Sequence, residues 1–302
     1  MSTTAMCKEW KVGSSVFRAA PEVGARLMDW KLTTADGNVR EVIYWPEDAD
    51  MSNLRKVRGG NPILFPFVAR SYDQGQEGFW RTADGIRRPM PRHGFSIDGK
   101  FSLEENTESG FTALFKPDPK KYECYPFDYN FKVRYQFEEL SFTVDLILEN
   151  TDSRALFWCA GHHFYFKLPW HEGLERKNYV LNIPTKKAFH RNEDGSLCRD
   201  KGYKNPATFD DDALIDRMHY ELEKPEVSFG PQNGEENIIM KVSGNPAPSP
   251  WMTVNTWTED KDSPFYCVEP WMGPPNNANL KKGLEIVEPG QTQTFTVKVS
   301  LA

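Results

Sequence analysis

The sequence predicts an all-β protein built as one large antiparallel β-sandwich. Three observations carry this expectation. Apolar and polar residues alternate with period two through residues 131–148, with a break at Glu138-Glu139 that reads as a hairpin turn. The same alternation closes the chain over residues 291–301. No stretch carries a 3.6-residue apolar period of convincing length, and neither a repeat nor a low-complexity linker divides the chain. Length alone would permit two domains, so the continuous β pattern is what favours a single domain over residues 1–302.

Taken in order, residues 14–45 read as short strands. Gly24-Ala25 and Asp36-Gly37-Asn38 supply turns, and the β-branched and aromatic run Val39 to Trp45 is stopped by Pro46. Residues 46–58 read as a loop. In Asn61-Pro62-Ile63-Leu64-Phe65-Pro66 the two prolines cannot donate to a ladder, which predicts an irregular or edge segment. Residues 71–92 are polar and rich in Gly and Arg, a long loop of the kind compact domains keep for function. Strands resume from His93 to Lys116, and the 131–148 hairpin follows. Residues 155–168 form an apolar strand carrying His162 and His163, and 169–206 read as connection. Short strands are expected at 222–230, 238–242 and 251–257 before the closing strand.

Composition narrows the partners. The chain has 302 residues, 13% of them aromatic, and a formal net charge of -6. Without a long basic run, nucleic acid and anionic membranes are not expected partners. Met1 to Trp10 lacks the pattern of a secretory leader, and no run approaches the roughly 18 apolar residues of a membrane span. Five cysteines, without close pairing or repeated short spacing, read as reduced thiols in a cytoplasmic protein and argue against a zinc site. Oligomeric state is not legible.

Three islands combine chemistry-bearing residues with aromatic surroundings: Met90 to Ser96 around His93, Gly161 to Phe166 around His162 and His163, and Cys267 to Trp271 around Glu269. Two histidines and a carboxylate in one pocket would supply a general acid, a general base and an orienting group. Adjacent residues of a strand face opposite ways, so only one of His162 and His163 can line that pocket. Glu269, flanked by Phe265, Tyr266, Cys267 and Trp271, would be costly to bury without a partner or a task. His171, His190 and His219 stand in polar text and read as surface residues; Glu285 and Glu288 read as solvent-facing.

In this order, the islands resemble the aldose 1-epimerase (mutarotase) family, as do Arg58 to Pro66, Tyr125 to Tyr129 and Leu284 to Gly290. The similarity runs from about Gly24 onward. It implies a galactose mutarotase-like supersandwich that interconverts α and β anomers of an aldose. Glu269 matches the family's general base, His163 its general acid, and His93 a histidine holding the reacting end of the sugar. Arg70 matches a hydroxyl-binding arginine, and the acidic partner is placed at Asp212. No metal or organic cofactor is implied. Arg58 falls where members acting on hexose 6-phosphates carry an arginine, whereas Ile97 stands where many members continue the first histidine motif with another arginine. Free sugar and sugar phosphate both stay open as the small-molecule partner. Two other classes compete: a carbohydrate-binding or regulatory module on the same fold, and a glycoside hydrolase, which would need a second carboxylate such as Asp212 beside Glu269.

Overall fold

The computed structural model describes residues 7–185, 187–234 and 236–302. Residues 1–6, which begin the Met1 to Trp10 stretch and the 1–302 span, lie outside the described residues.

Two large antiparallel sheets carry most of the described strands. The nine-stranded sheet contains the hairpin Tyr129–Glu138 and Ser141–Asn150, and the closing strand Thr292–Leu301 lies at its centre, between Ser141–Asn150 and Ile238–Asn245. The burial of Phe131, Val133, Tyr135 and Phe137 along one face is what the period-two pattern dictates. The twelve-stranded sheet runs from Lys8–Val12 through Arg26–Thr33 and Val39–Ile43 to Tyr165–Lys167, Phe265–Trp271, Thr253–Trp257 and Arg217–His219. Aromatic side chains fill the space between the sheets. Phe17 stacks on Phe137 at 4.5 Å between centroids, and Phe65 on Phe131 at 4.0 Å. Such packing of large faces supplies the main driving force for closing the sandwich.

The structure departs from the sequence reading in four places. Residues 71–92 contain two small hairpins, Tyr72–Asp73 with Gln76–Glu77 and Phe79–Arg81 with Arg87–Pro89. Residues 169–206 contain the strands Tyr179–Asn182, Ala188–Arg191 and Leu197–Asp200. Strands this short, with Gly, Asn and charged residues interspersed, show too few periods for alternation to register. His219 is fully buried on Arg217–His219, with Tyr203 packed edge-on at 5.1 Å; Arg217, on the same face of the strand, is buried against the same ring, so a polar neighbour in sequence does not mark a surface here. Glu285 is half-buried on Glu285–Val287, and burial raises its carboxyl pKa.

Arg26 positions the site. Its buried guanidinium donates to the carbonyls of Leu54, Val57 and Gly59 at 2.6, 2.8 and 2.5 Å, and burial lowers its pKa to about 10. Three carbonyl acceptors around one cation fix the loop that presents Arg58 and leads into Asn61. Gly60, at φ 69°, threads this loop against the strand beside it, where a Cβ would lie 2.2 Å from the Leu27 carbonyl oxygen.

Candidate active site

Glu269 sits at the middle of Phe265–Trp271, whose residues are all buried. Alternation puts Cys267 and Glu269 on one face and Tyr266 and Val268 on the other. Tyr165 pairs with Cys267 across the neighbouring strand, and His163 precedes it on the same chain segment. The result brings His163 Nε2 to 3.4 Å from Glu269 Oε2. The Asn255 side-chain amide donates to Glu269 Oε1 at 3.0 Å, fixing the carboxyl while Oε2 stays without a hydrogen-bond partner. The His163 ring is fixed by near-parallel stacking on Tyr165, 4.8 Å between centroids.

Asn61 decides which histidine faces the pocket. Its Oδ1 accepts from the backbone N–H of His163 at 3.2 Å, and its Nδ2 lies 3.1 Å from His162 Nδ1 and 2.7 Å from the Tyr135 hydroxyl. His162 is thereby held inward between Phe164 and Phe295. His163 faces outward.

His93 closes the group, its ring 5.6 Å from that of His163 and 6.2 Å from Trp271. It adopts φ 62°, and its neighbour Gly94 passes so close to the Phe65 carbonyl oxygen that a Cβ would lie 1.8 Å from it. The backbone N–H of Ala69 donates to His93 Nδ1 at 3.1 Å. In the neutral ring the proton therefore sits on Nε2, leaving an N–H donor for an oxygen in the pocket.

The electrostatics follow from burial. Desolvation pushes Glu269 well above the carboxylate range; Asp216 raises it further, while Asn255 and Arg92 oppose. Desolvation pushes His163 and His93 well below 6.5. Burial thus favours a neutral pair with one exchangeable proton between carboxyl and imidazole.

Arginines rim this centre. Arg92 is exposed and makes no ion pair with a described residue, and its charge acts on Glu269, Arg70, Asp216 and Arg58. Arg70 is tied to Glu77 at 2.7 Å, and Arg58 lies 5.3 Å over Trp257 with Glu259 at 3.5 Å. Glu269, His163 and His93 are brought together, with Arg58 and Arg70 at the rim. Asp212 is elsewhere: it is exposed in a 3-10 turn and lines a separate cavity of about 740 Å³ with Asp210, Asp211, Arg176 and Tyr266. The acid whose charge reaches Glu269 is Asp216, at φ 54° just before Arg217–His219. The sequence signal that could have found it is a lone acid abutting a strand, masked by three consecutive aspartates upstream. Another cavity, of about 750 Å³ and lined by Arg55, Asp98, Phe115 and Lys121 among others, also lies away from the Glu269 pair.

His163, Cys267 and Glu269 place one ligand-capable atom each within 4.8 Å of one another. Among the described residues no helix is long and apolar enough to cross a membrane, and all five cysteines are unpaired.

The model of one protein family, described as aldose 1-epimerase, matches residues 15–300. A plasmid-encoded LacX protein of Lactococcus lactis subsp. lactis is 25% identical over 254 residues, covering 76% of this chain and 77% of that protein. Among solved structures, a galactose mutarotase-like protein from Clostridium acetobutylicum superposes with a TM-score of 0.79 at 18% identity, covering 98% of this chain and 95% of that one. Another, from Lactobacillus casei, gives 0.77 at 21% identity, covering 98% and 100%. These structural likenesses speak for the fold.

Proposed function

The chain belongs to the aldose 1-epimerase family, and from that premise we propose that it interconverts the α and β anomers of an aldose by acid–base ring opening and closure. The observation that carries this reading is the His163 Nε2 to Glu269 Oε2 approach of 3.4 Å in a buried, partly unsatisfied pair. Mutarotation needs one proton removed from the anomeric hydroxyl and one delivered to the ring oxygen. A pair holding a single exchangeable proton matches that demand.

In the proposed mechanism, sugar hydroxyls donating to Oε2 stabilise the Glu269 carboxylate, and the pair's proton then resides on His163. Glu269 takes the proton of the anomeric hydroxyl while His163 protonates the ring oxygen, which breaks the carbon–oxygen bond and leaves an open-chain aldehyde. Rotation about the adjacent carbon–carbon bond presents the other carbonyl face. Closure returns both protons. His93 donates its Nε2–H to an oxygen at the reacting end, holding it against both groups. Arg70, and Asp216 in place of Asp212, are the proposed hydroxyl-binding partners.

The substrate proposed is an aldose or its hexose 6-phosphate. The mutual influence of Arg58, Arg70 and Arg92 around the pocket favours a phosphate at its rim. Magnetization-transfer NMR on glucose, galactose and glucose 6-phosphate, each against a buffer blank, tests both parts. Enhanced exchange is expected, fastest for the phosphate, and Arg58→Met should narrow the gap between phosphorylated and free sugar. Absence of enhancement on all three would replace this reading with a sugar-binding module.

A further inference from the structure

The face of Phe265–Trp271 that bears Glu269 also bears Cys267, a residue with no part in the mutarotation chemistry. Its thiol is fully buried and unpaired. Three donors of different character, an imidazole, a thiol and a carboxylate, lie within 4.8 Å of one another at the floor of the pocket. We propose that His163, Cys267 and Glu269 bind a thiophilic divalent cation of the zinc class, with a fourth position open to the pocket.

Geometry and uncommitted donors carry the inference. Nitrogen and oxygen ligands at about 2.1 Å from a tetrahedral zinc stand about 3.4 Å apart. His163 Nε2 and Glu269 Oε2 stand at 3.4 Å. Glu269 is 1% exposed, and its Oε2, the oxygen that faces His163 Nε2, has no hydrogen-bond partner. The remaining Glu269 oxygen accepts from Asn255, and Tyr165 stacks on the imidazole, so two of the three ligands are already held in place. The Cys267 thiol, within the same 4.8 Å group, supplies the third ligand. A thiolate and a carboxylate neutralise the cation's charge, and the imidazole, thiolate and carboxylate set suits zinc in particular. The sequence hides such a site because its ligands come from the strand Phe265–Trp271 and from the link just before Tyr165–Lys167, without the short repeated spacing of zinc motifs.

Binding would occupy both proton carriers, so saturating zinc would return anomer exchange to the buffer rate; that consequence rests on the proposed reaction, whereas binding itself does not. The test is therefore spectroscopic. Full-length protein carrying Cys7→Ser and Cys198→Ser, which removes the two thiols that are not buried, is titrated with Co²⁺. The expected result is one equivalent bound, a thiolate-to-metal charge-transfer absorption, and its loss on adding Zn²⁺. Cys267→Ser should abolish the absorption while circular dichroism stays unchanged. Should the buried hydroxyl unfold that variant, Cys267→Ala is read instead. No charge-transfer absorption in the parent protein, or one that persists without Cys267, would overturn the proposal whether or not the protein proves to be a mutarotase.

Discussion

The two faces of the short segment around His162 and His163 set identical side chains to opposite uses. Inward, His162 is sandwiched by Phe164 and Phe295 and tied to Asn61. Outward, His163 meets Glu269, Tyr165 and His93. Burial depresses both histidines, to about 3 for His162, so a perturbed pKa does not separate them. What separates them is company. The inner ring packs among hydrocarbon faces, whereas the outer one stands against a carboxyl group able to exchange a proton with it. A buried ionisable side chain becomes a candidate for chemistry through its partner, not through burial alone.

The sharpest way to break this contrast is to remove the partner. Glu269→Gln keeps shape and volume, and anomer exchange should fall about 10²- to 10⁴-fold, the range of general acid–base catalysis. Near-normal exchange by magnetization transfer would remove Glu269 as the base. Next, His163→Ala should lose about 10²-fold or more in exchange at nearly unchanged stability, whereas His162→Ala should lose about 3 kcal/mol in urea denaturation with exchange largely kept. The reverse pattern would exchange the two roles.

Sequence alone reached part of this contrast. Strand alternation requires adjacent histidines to face apart, and the aromatic text around Glu269 announces a carboxylate with a purpose. The long strands Tyr129–Glu138, Ser141–Asn150 and Thr292–Leu301 were equally legible, since ten residues repeat the period often enough to be read. The hairpins within 71–92 were not, because two or three residues cannot show a period. Asp216 escaped notice because its proximity to Glu269 is created by the antiparallel neighbours Arg217–His219, Thr253–Trp257 and Phe265–Trp271, which no local pattern records.

Acidification sharpens the inner half of the comparison. Burial holds both His162 and His219 at about 3 when folded, below the ordinary 6.5, so the unfolded chain takes up the protons first. Their contribution is present above about pH 6.5 and is lost as pH falls toward 3, with about 2 kcal/mol per histidine gone by pH 5. In His162→Phe, the stability lost between pH 7 and pH 5 should shrink by about that amount. An unchanged pH dependence in urea melts would mean that His162 is protonated within the fold.

The smallest effects should come from the acids. Asp216→Asn removes a negative charge that raises Glu269, so the acidic limb of the exchange profile should move to lower pH by a fraction of a unit, with a few-fold change in rate. Asp212→Asn, facing another cavity, should leave the profile in place. A larger shift from Asp212 would return it to the site.

The strand Thr292–Leu301 follows every other described strand in sequence, yet it lies between Ser141–Asn150 and Ile238–Asn245 inside the nine-stranded sheet. During synthesis the two halves of that sheet must therefore wait for it, each presenting an unpaired strand edge until this strand emerges from the ribosome and zips them together. A nascent chain stalled before residue 292 would be a natural client for chaperones, and the nine-stranded sheet would lock only once that strand is in place.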